Sequence, residues 1–473
     1  MPEGSPPIAV AEVLAAISPA RLRADIDALA GFGTRHTLSA DAPDRGIAAA
    51  RRYIVAQLEA AIQLDRPAST TPASTTPTST TPASITPAPT TPGSPRPGSP
   101  RSGSPRSGSP LTVEEEPFEL RPDGRRIDRA ATLINVVATL PGTMPEATSR
   151  RIYVLGHYDS RATDVMDPEA PAPGANDDGS GVALTIELAR VLAGQPLDAT
   201  VVFMATAGEE QGLLGARRHA AAARARDVTI TGVLSNDIVG DPRGPDGQRH
   251  DRHVRVFSSG VSLALDGEAL ARRRARGALA DGSSRQLARY VATIAAWERT
   301  PVQPTLVLRP DRFLRGGDHL AFDEQGYPAV RLTEVAEDYD RQHQDPRTED
   351  GRRYGDHPEY VDEHYLAQVT QLNGSVLVHL ANAPSAPANA VVLATALTTD
   401  TTLRWSPSPE PDVAGYEVVW RSTLAPAWQH VRNAGTKTEI TLSHHKDDWI
   451  FGVRAYDRDG YRSPVNPCGI VRS

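Results

Sequence analysis

Cysteine is almost missing from this chain: Cys468 is the one thiol among 473 residues. That excludes an intrachain disulfide and any cysteine-based metal site, so packing must stabilise the fold and any metal must be held by imidazole and carboxylate. Lysine is nearly as scarce, with Lys437 and Lys446 the only two among 50 basic residues. The net charge of −8 leaves no basic excess for a nucleic-acid partner. Arginine runs such as "ARRRARGA" (271–278) read as a solvated helix face. Apolar runs of membrane-spanning length are also lacking, and the opening "MPEGSPPIAVAEVLAAISPA" has neither the basic start nor the apolar core of a secretory leader. No membrane span is expected. Cellular location stays open, although the Thr/Pro-rich tract and the C-terminal module described below point to an extracellular or periplasmic setting.

What is present falls into unlike stretches. Residues 67–110 are built from Pro, Ser, Thr and Gly with almost nothing apolar, a composition expected to be disordered and read as an insertion into one domain. Before it, in 1–66, "RGIAAARRYIVAQLEAAI" sets Ile47, Ile54, Leu58 and Ile62 on one helical face. After it, strand-length apolar runs at "TLINVVATL", "RIYVLG" (151–156), "TVVFMAT" (200–206) and "VLSNDIV" (233–239) alternate with a helix at 180–193. This predicts an α/β domain over 111–385 with a mostly parallel central sheet flanked by helices, in which ligands collect beyond the carboxyl ends of the strands. Past a Pro-containing linker, 390–473 consists of short β segments. "TTLRWSPSPEPDVAGYEVVWR" and "IFGVRAYDRDGYRSP" resemble a fibronectin type III sandwich, with Trp405, Tyr416, Phe451, Val453 and Ala455 turned inward. Such a module is expected to fold on its own and to tether the chain to a surface or polymer.

Five polar stretches sit at or just after predicted strand ends: "GHYDS" (His157, Asp159), "GANDDGSG" (Asp177, Asp178), "GEEQGLLG" (Glu209, Glu210), "SNDIVG" (Asp237) and "YDRQHQD" (His343). Singly each has an ordinary explanation: a hydrogen-bonded pair, a helix N-cap, a solvated turn. Together, two histidines and several carboxylates suit zinc, and carboxylate-rich sites shared by two metals are typical of hydrolases.

In this order, "GHYDS…GANDDGSG…GEEQGLLG…NDIVG" resembles the two-zinc aminopeptidase family of bacterial leucyl aminopeptidases, related to glutamate carboxypeptidase and glutaminyl cyclase, over about residues 20–385. The resemblance implies a zinc exopeptidase-like fold and two zinc ions per chain. One ion would lie on His157 and Asp237 and the other on Glu210 and His343, with Asp177 bridging. It further implies Glu209 as general base, Asp159 orienting His157, and a peptide with a free N-terminus as substrate. His343 is assigned by position, because "YDRQHQDPRTED" lacks the usual surrounding motif; His319 in "GGDHLAF" is the other histidine nearby. Two other readings remain at this point: a single-zinc transferase of the glutaminyl cyclase kind, and a binding protein on the same fold without catalysis.

Overall fold

The computed structural model describes residues 8–39, 42–64, 111–275, 277–395 and 397–471; the insertion expected at 67–110 lies outside them. The chain opens with helices α1 (Ile8–Ala16), α2 (Pro19–Gly31) and α3 (Gly46–Leu64). Ser18 caps α2 by accepting the Arg21 amide, and Pro19 occupies the first turn, where no amide donor is needed. Ile47, Ile54 and Leu58 of α3 are buried, as their spacing predicts.

Eight strands form the main sheet: β1 (Thr112–Leu120), β2 (Ala131–Leu140), β3 (Arg150–His157), β4 (Thr200–Thr206), β5 (Thr229–Asn236), β6 (His253–Phe257), β7 (Gln303–Val307) and β8 (Ala329–Thr333). Their spatial order is β1-β2-β4-β3-β5-β8-β6-β7. The centre, β4-β3-β5-β8, is parallel. The pairs β1–β2, β2–β4 and β6–β8 are antiparallel, so the sheet is mixed towards its edges.

Between the strands run α4 (Gly179–Leu192), α5 (Leu214–Ala225), α6 (Gly267–Ala275), α7 (Ser283–Glu298) and α8 (His319–Asp323). After them come a small hairpin, β9 (Arg347–Glu349) and β10 (Arg352–Tyr354), and the long α9 (Glu363–Asn382). Strands β4 and β8 are buried along their whole length, and β3 and β5 over their carboxyl halves, because helices cover both faces. Side chains alternate accordingly: Ile152, Val154, Val201 and Phe203 join the core beneath α4, α7 and α9, while Tyr153, Leu155, Val202 and Met204 meet α5 and α8. Truncating one of them, such as Leu155 to Ala, costs about 2–5 kcal/mol.

One close approach positions the site. A Cβ on Gly156 would lie 2.5 Å from the backbone of Gly181, and one on Gly181 would lie 2.1 Å from the Asn236 carbonyl. Glycine at both positions lets the start of α4 press between β3 and β5. The parallel strands then end together at His157, Thr206, Asn236 and Thr333.

The C-terminal module has two four-stranded sheets made from β11 (Val391–Leu393), β12 (Thr401–Arg404), β13 (Val413–Ser422), β14 (His430–Gly435), β15 (Glu439–Leu442), β16 (Trp449–Asp457), β17 (Asn466–Pro467) and β18 (Gly469–Val471). The sheets are ordered β15-β12-β11-β18 and β14-β13-β16-β17. Trp405, Tyr416, Phe451, Val453 and Ala455 are buried between them. The module is not a loose appendage, in contrast to what the linker composition suggests. Arg421 on β13 grips Asp281 at 2.8 and 2.9 Å, Trp428 donates to Gln286, Tyr290 of α7 donates to the Arg462 carbonyl, and Tyr461 packs edge-on against His379 of α9.

Among the described residues no helix is long and apolar enough to cross a membrane.

Candidate metal centre and active site

His157 is the last residue of β3, Glu209 and Glu210 follow β4, Asp237 follows β5, and Asp177 precedes α4. His343 lies on the long connection after β8. The chain brings these residues together. His157 Nε2 lies 3.3 Å from Asp177 Oδ1 and 3.8 Å from Asp237 Oδ1, while His343 Nε2 lies 3.0 Å from both Asp177 Oδ2 and Glu210 Oε1. The two oxygens of Asp177 thus face two histidines, each histidine with a further carboxylate beside it.

The neighbouring acid, Asp178, also offers an oxygen to the His157–Asp237 corner. Its oxygens are already engaged, however. They accept the main-chain amides of His157 (3.0 Å), Gly181 (2.9 Å) and Ile238 (3.3 Å), and the residue caps α4. Asp178 therefore holds the junction of β3, α4 and β5, and Asp177 faces the site.

Asp159 orients His157 through its main chain as well as its charge. Its carboxylate is 3.7 Å from His157 Nδ1, beyond hydrogen-bond reach, and the ring donates instead to the Asp159 main-chain carbonyl at 3.1 Å. The carboxylate gathers the amides of Gly208, Glu209 and Glu210 and the Thr37 hydroxyl. Asp159 is a positioning residue for the two glutamates. His319 stays outside the cluster, bonded at 2.8 Å to the Pro310 carbonyl.

Three further residues escape a motif reading. Arg331, fully buried on β8, lies 2.9 Å from Asp237 Oδ1. Asp356 accepts the Asn176 and Asp177 amides at 2.8 and 2.7 Å, and burial pushes its carboxyl up to about 7. Asp318, bonded by Thr206, is pushed up to about 6 by burial. Of these, Arg331 left a trace: a charge in the middle of the otherwise apolar strand AVRLT.

The electrostatics are those of a site short of positive charge. Burial pushes the Glu209 carboxyl well above the usual range, and Glu210, Asp237 and Asp318 add to the push. Burial alone would lower the His157 imidazole, but Glu209, Asp159, Asp177 and Asp237 hold it well above its ordinary value. His343 is raised likewise, to about 9, by Glu210 and Asp177 against the effect of burial. Glu210 Oε1 and Asp237 Oδ1 are buried, with the ion-pair contacts of His343 and Arg331 but no well-aligned hydrogen bond among the described residues. Several buried carboxylate oxygens converging with two imidazole nitrogens are what a divalent cation requires, so the donor set fits a metal.

Asp177, Glu209, Glu210, Asp237 and His343 open onto a cavity of about 430 Å³. Leu213, Ile238, Leu314 and His343, all lining it, have φ of 60°, 62°, 60° and 54°. Left-handed backbone is uncommon for leucine and an outlier for β-branched isoleucine, and such conformations concentrate at functional sites. A larger cavity, about 900 Å³, lies between α7 and the C-terminal module; no histidine lines it.

Comparison with known proteins agrees with this geometry. Residues 135–363 match Peptidase family M28. The chain is 39% identical over 452 residues to a protein of Leptosphaeria maculans named "Probable zinc metalloprotease", covering 95% of this chain and 94% of that one. It is 40% identical over 460 residues to a protein of the same description from Pyricularia oryzae, covering 96% and 82%. The crystal structure of LapA from Legionella pneumophila shares the fold at 15% identity and a TM-score of 0.50, over 79% of this chain and 76% of that one. Identity at this level over nearly the whole length, with the strand-end cluster of histidines and carboxylates, places the chain in Peptidase family M28 as a metal-dependent peptidase.

Proposed function

We propose that this chain is a two-zinc aminopeptidase that removes residues from the free N-terminus of peptides. The observation that carries the reading is Asp177, whose two carboxylate oxygens face His157 and His343 in turn. In it, His157 and Asp237 would hold one zinc ion and Glu210 and His343 the other, with Asp177 within reach of both. Zinc bound there supplies Lewis acidity towards the scissile carbonyl and makes a nearby water acidic.

The chain's own groups do the rest. Glu209 opens onto the same cavity as these ligands, and its main chain is fixed through the Asp159 carboxylate. It takes a proton from the attacking water and delivers it to the departing amine. Metal charge would draw its raised affinity for protons back towards the ordinary range. Arg331 balances the charge of Asp237 from below the site. The cavity is at the small end of the roughly 300–1,000 Å³ range of ligand pockets, which suits the end of a chain rather than an extended segment threaded through.

The test has two parts: metal content by mass spectrometry, expected at two zinc ions per chain, and turnover of aminoacyl p-nitroanilides with release of free amino acid. One zinc per chain with cyclisation of N-terminal glutamine would overturn the proposal in favour of a transferase. Full metal content with no turnover of any peptide would overturn it in favour of a binding protein.

A further inference from the structure

Five arginines line the cavity of the metal site, and their charges are not equally compensated. Arg217 pairs with Glu324 at 2.9 Å, and Arg312 pairs with Glu337. The other three, Arg126, Arg161 and Arg315, have no carboxylate within ion-pair distance among the described residues. They are held by neutral acceptors. Arg126 donates to the Glu210 main-chain carbonyl, and Arg161 donates to the Ala162 and Thr163 carbonyls at 3.2 Å each. Arg315 donates to Gln342 Oε1 at 3.2 Å, reaches the His343 ring at 3.1 Å, and lies 5.6 Å from the centre of the Tyr339 ring.

Three separate loops therefore present a guanidinium to one cavity. The acids of the cavity floor pair elsewhere: Asp177 and Glu210 meet His343, and Asp237 meets His157 and Arg331. Divalent cations on that floor would leave the mouth with a surplus of positive charge. Leu213, Leu314 and Leu320 line the same cavity. A fixed guanidinium fork beside an apolar wall matches an aliphatic stem ending in a carboxylate, which it can bind through two parallel hydrogen bonds.

We propose that Arg126, Arg161 and Arg315 select substrates carrying a carboxylate close to the scissile bond. The carboxylate is either the acidic side chain of the N-terminal residue or the C-terminal carboxylate of a very short peptide. Lysyl and arginyl N-termini are disfavoured by the same charges. The inference rests on the peptidase reading of this cavity and deepens it.

The experiment uses the full-length zinc-loaded chain. One arm compares L-glutamyl with L-glutaminyl p-nitroanilide, and the other compares leucylglycine with leucylglycine amide. In at least one arm the carboxylate form is expected to lead by about tenfold or more in kcat/KM, mainly through KM, the size of a hydrogen bond to a charged partner. In Arg161→Gln and Arg126→Gln that lead shrinks, whereas Arg161→Lys retains part of it. Equal rates in both arms, or a lead untouched by either glutamine variant, would overturn the proposal.

Calorimetric binding of L-glutamate against L-glutamine, and of leucylglycine against its amide, to the Glu209→Gln chain reads the same preference without turnover. A carboxylate preference in binding with no hydrolysis by the wild-type chain keeps this inference and sinks the peptidase reading; hydrolysis without preference does the reverse.

Discussion

Two regions of the molecule bury charge, and they do so in opposite ways. At the junction between the catalytic domain and the C-terminal module, the buried acids Asp281 and Glu417 each have counter-ions. Asp281 is shared by Arg289 and Arg421 at 2.8 Å each, and Glu417 is shared by Arg454 and Arg462. At the strand ends, Asp177, Glu209, Glu210 and Asp237 crowd together around two histidines and outnumber the cations beside them, of which Arg331 is one. Burial of an ion pair is tolerable when geometry and hydrogen bonds compensate desolvation, whereas buried carboxylates that outnumber the cations beside them call for added positive charge. The first arrangement holds two parts of a protein together; the second waits for a cation. Buried charge alone would not have distinguished them, but its pairing does.

The most drastic way to break the comparison is to remove one side of the junction. A chain ending near residue 385 uncovers Tyr290 and Trp297 of α7 and strands Asp281 without Arg421. It is expected to lose soluble expression, measured as yield and elution volume, although the linker composition alone predicts a separable module. Next comes Glu209→Gln, expected to keep metal content and melting temperature while kcat falls about 10²–10⁴-fold, the range for loss of a general base. Steady-state kinetics with metal analysis checks this, and a fully metallated variant with wild-type kcat would remove Glu209 from the mechanism.

Asp281→Ala is the counterpart in the paired region. It leaves two buried guanidiniums facing each other and should cost about 3–5 kcal/mol in denaturant unfolding without changing zinc content. The smallest effect concerns Asp457, at the end of β16. Burial, with Asp412 and Asp459, pushes its carboxyl up to about 7. The folded state favours the protonated form, so its contribution is full below about pH 4 and is lost as pH rises towards 7. Between pH 5 and 7 that loss should be about 2–3 kcal/mol, at about 1.4 kcal/mol per unit. Melting curves of Asp457→Asn should be flatter over this window than those of the wild type.

The central fold could be read because its information is local. Apolar runs at 151–156 and 200–206 became the core of β3 and the whole of β4, and the helix expected at 180–193 became α4 with a shift of one residue. The edge strand β1, "TVEEEPFEL", gave no such signal, since one exposed face and four glutamates hide any alternation. The strand expected to run through Asp237 stops at Asn236, and Ile238 takes a left-handed conformation that sequence gives no reason to expect. The motif residues of the site converge as their strand-end positions predict. The cavity arginines and the Asp281 junction were invisible, because they depend on loops and surfaces far apart in the chain that meet only in three dimensions.

Asp159 has a consequence for motion. One carboxylate accepts three consecutive amides, those of Gly208, Glu209 and Glu210, and the Thr37 hydroxyl besides. These amides are expected to exchange with deuterium slowly for a loop, at rates set by opening of the domain rather than by local fraying. The two glutamates then keep their places even while their like charges repel one another. An incoming cation would meet a cup already formed, and its capture would be limited by dehydration of the ion rather than by rearrangement of the polypeptide.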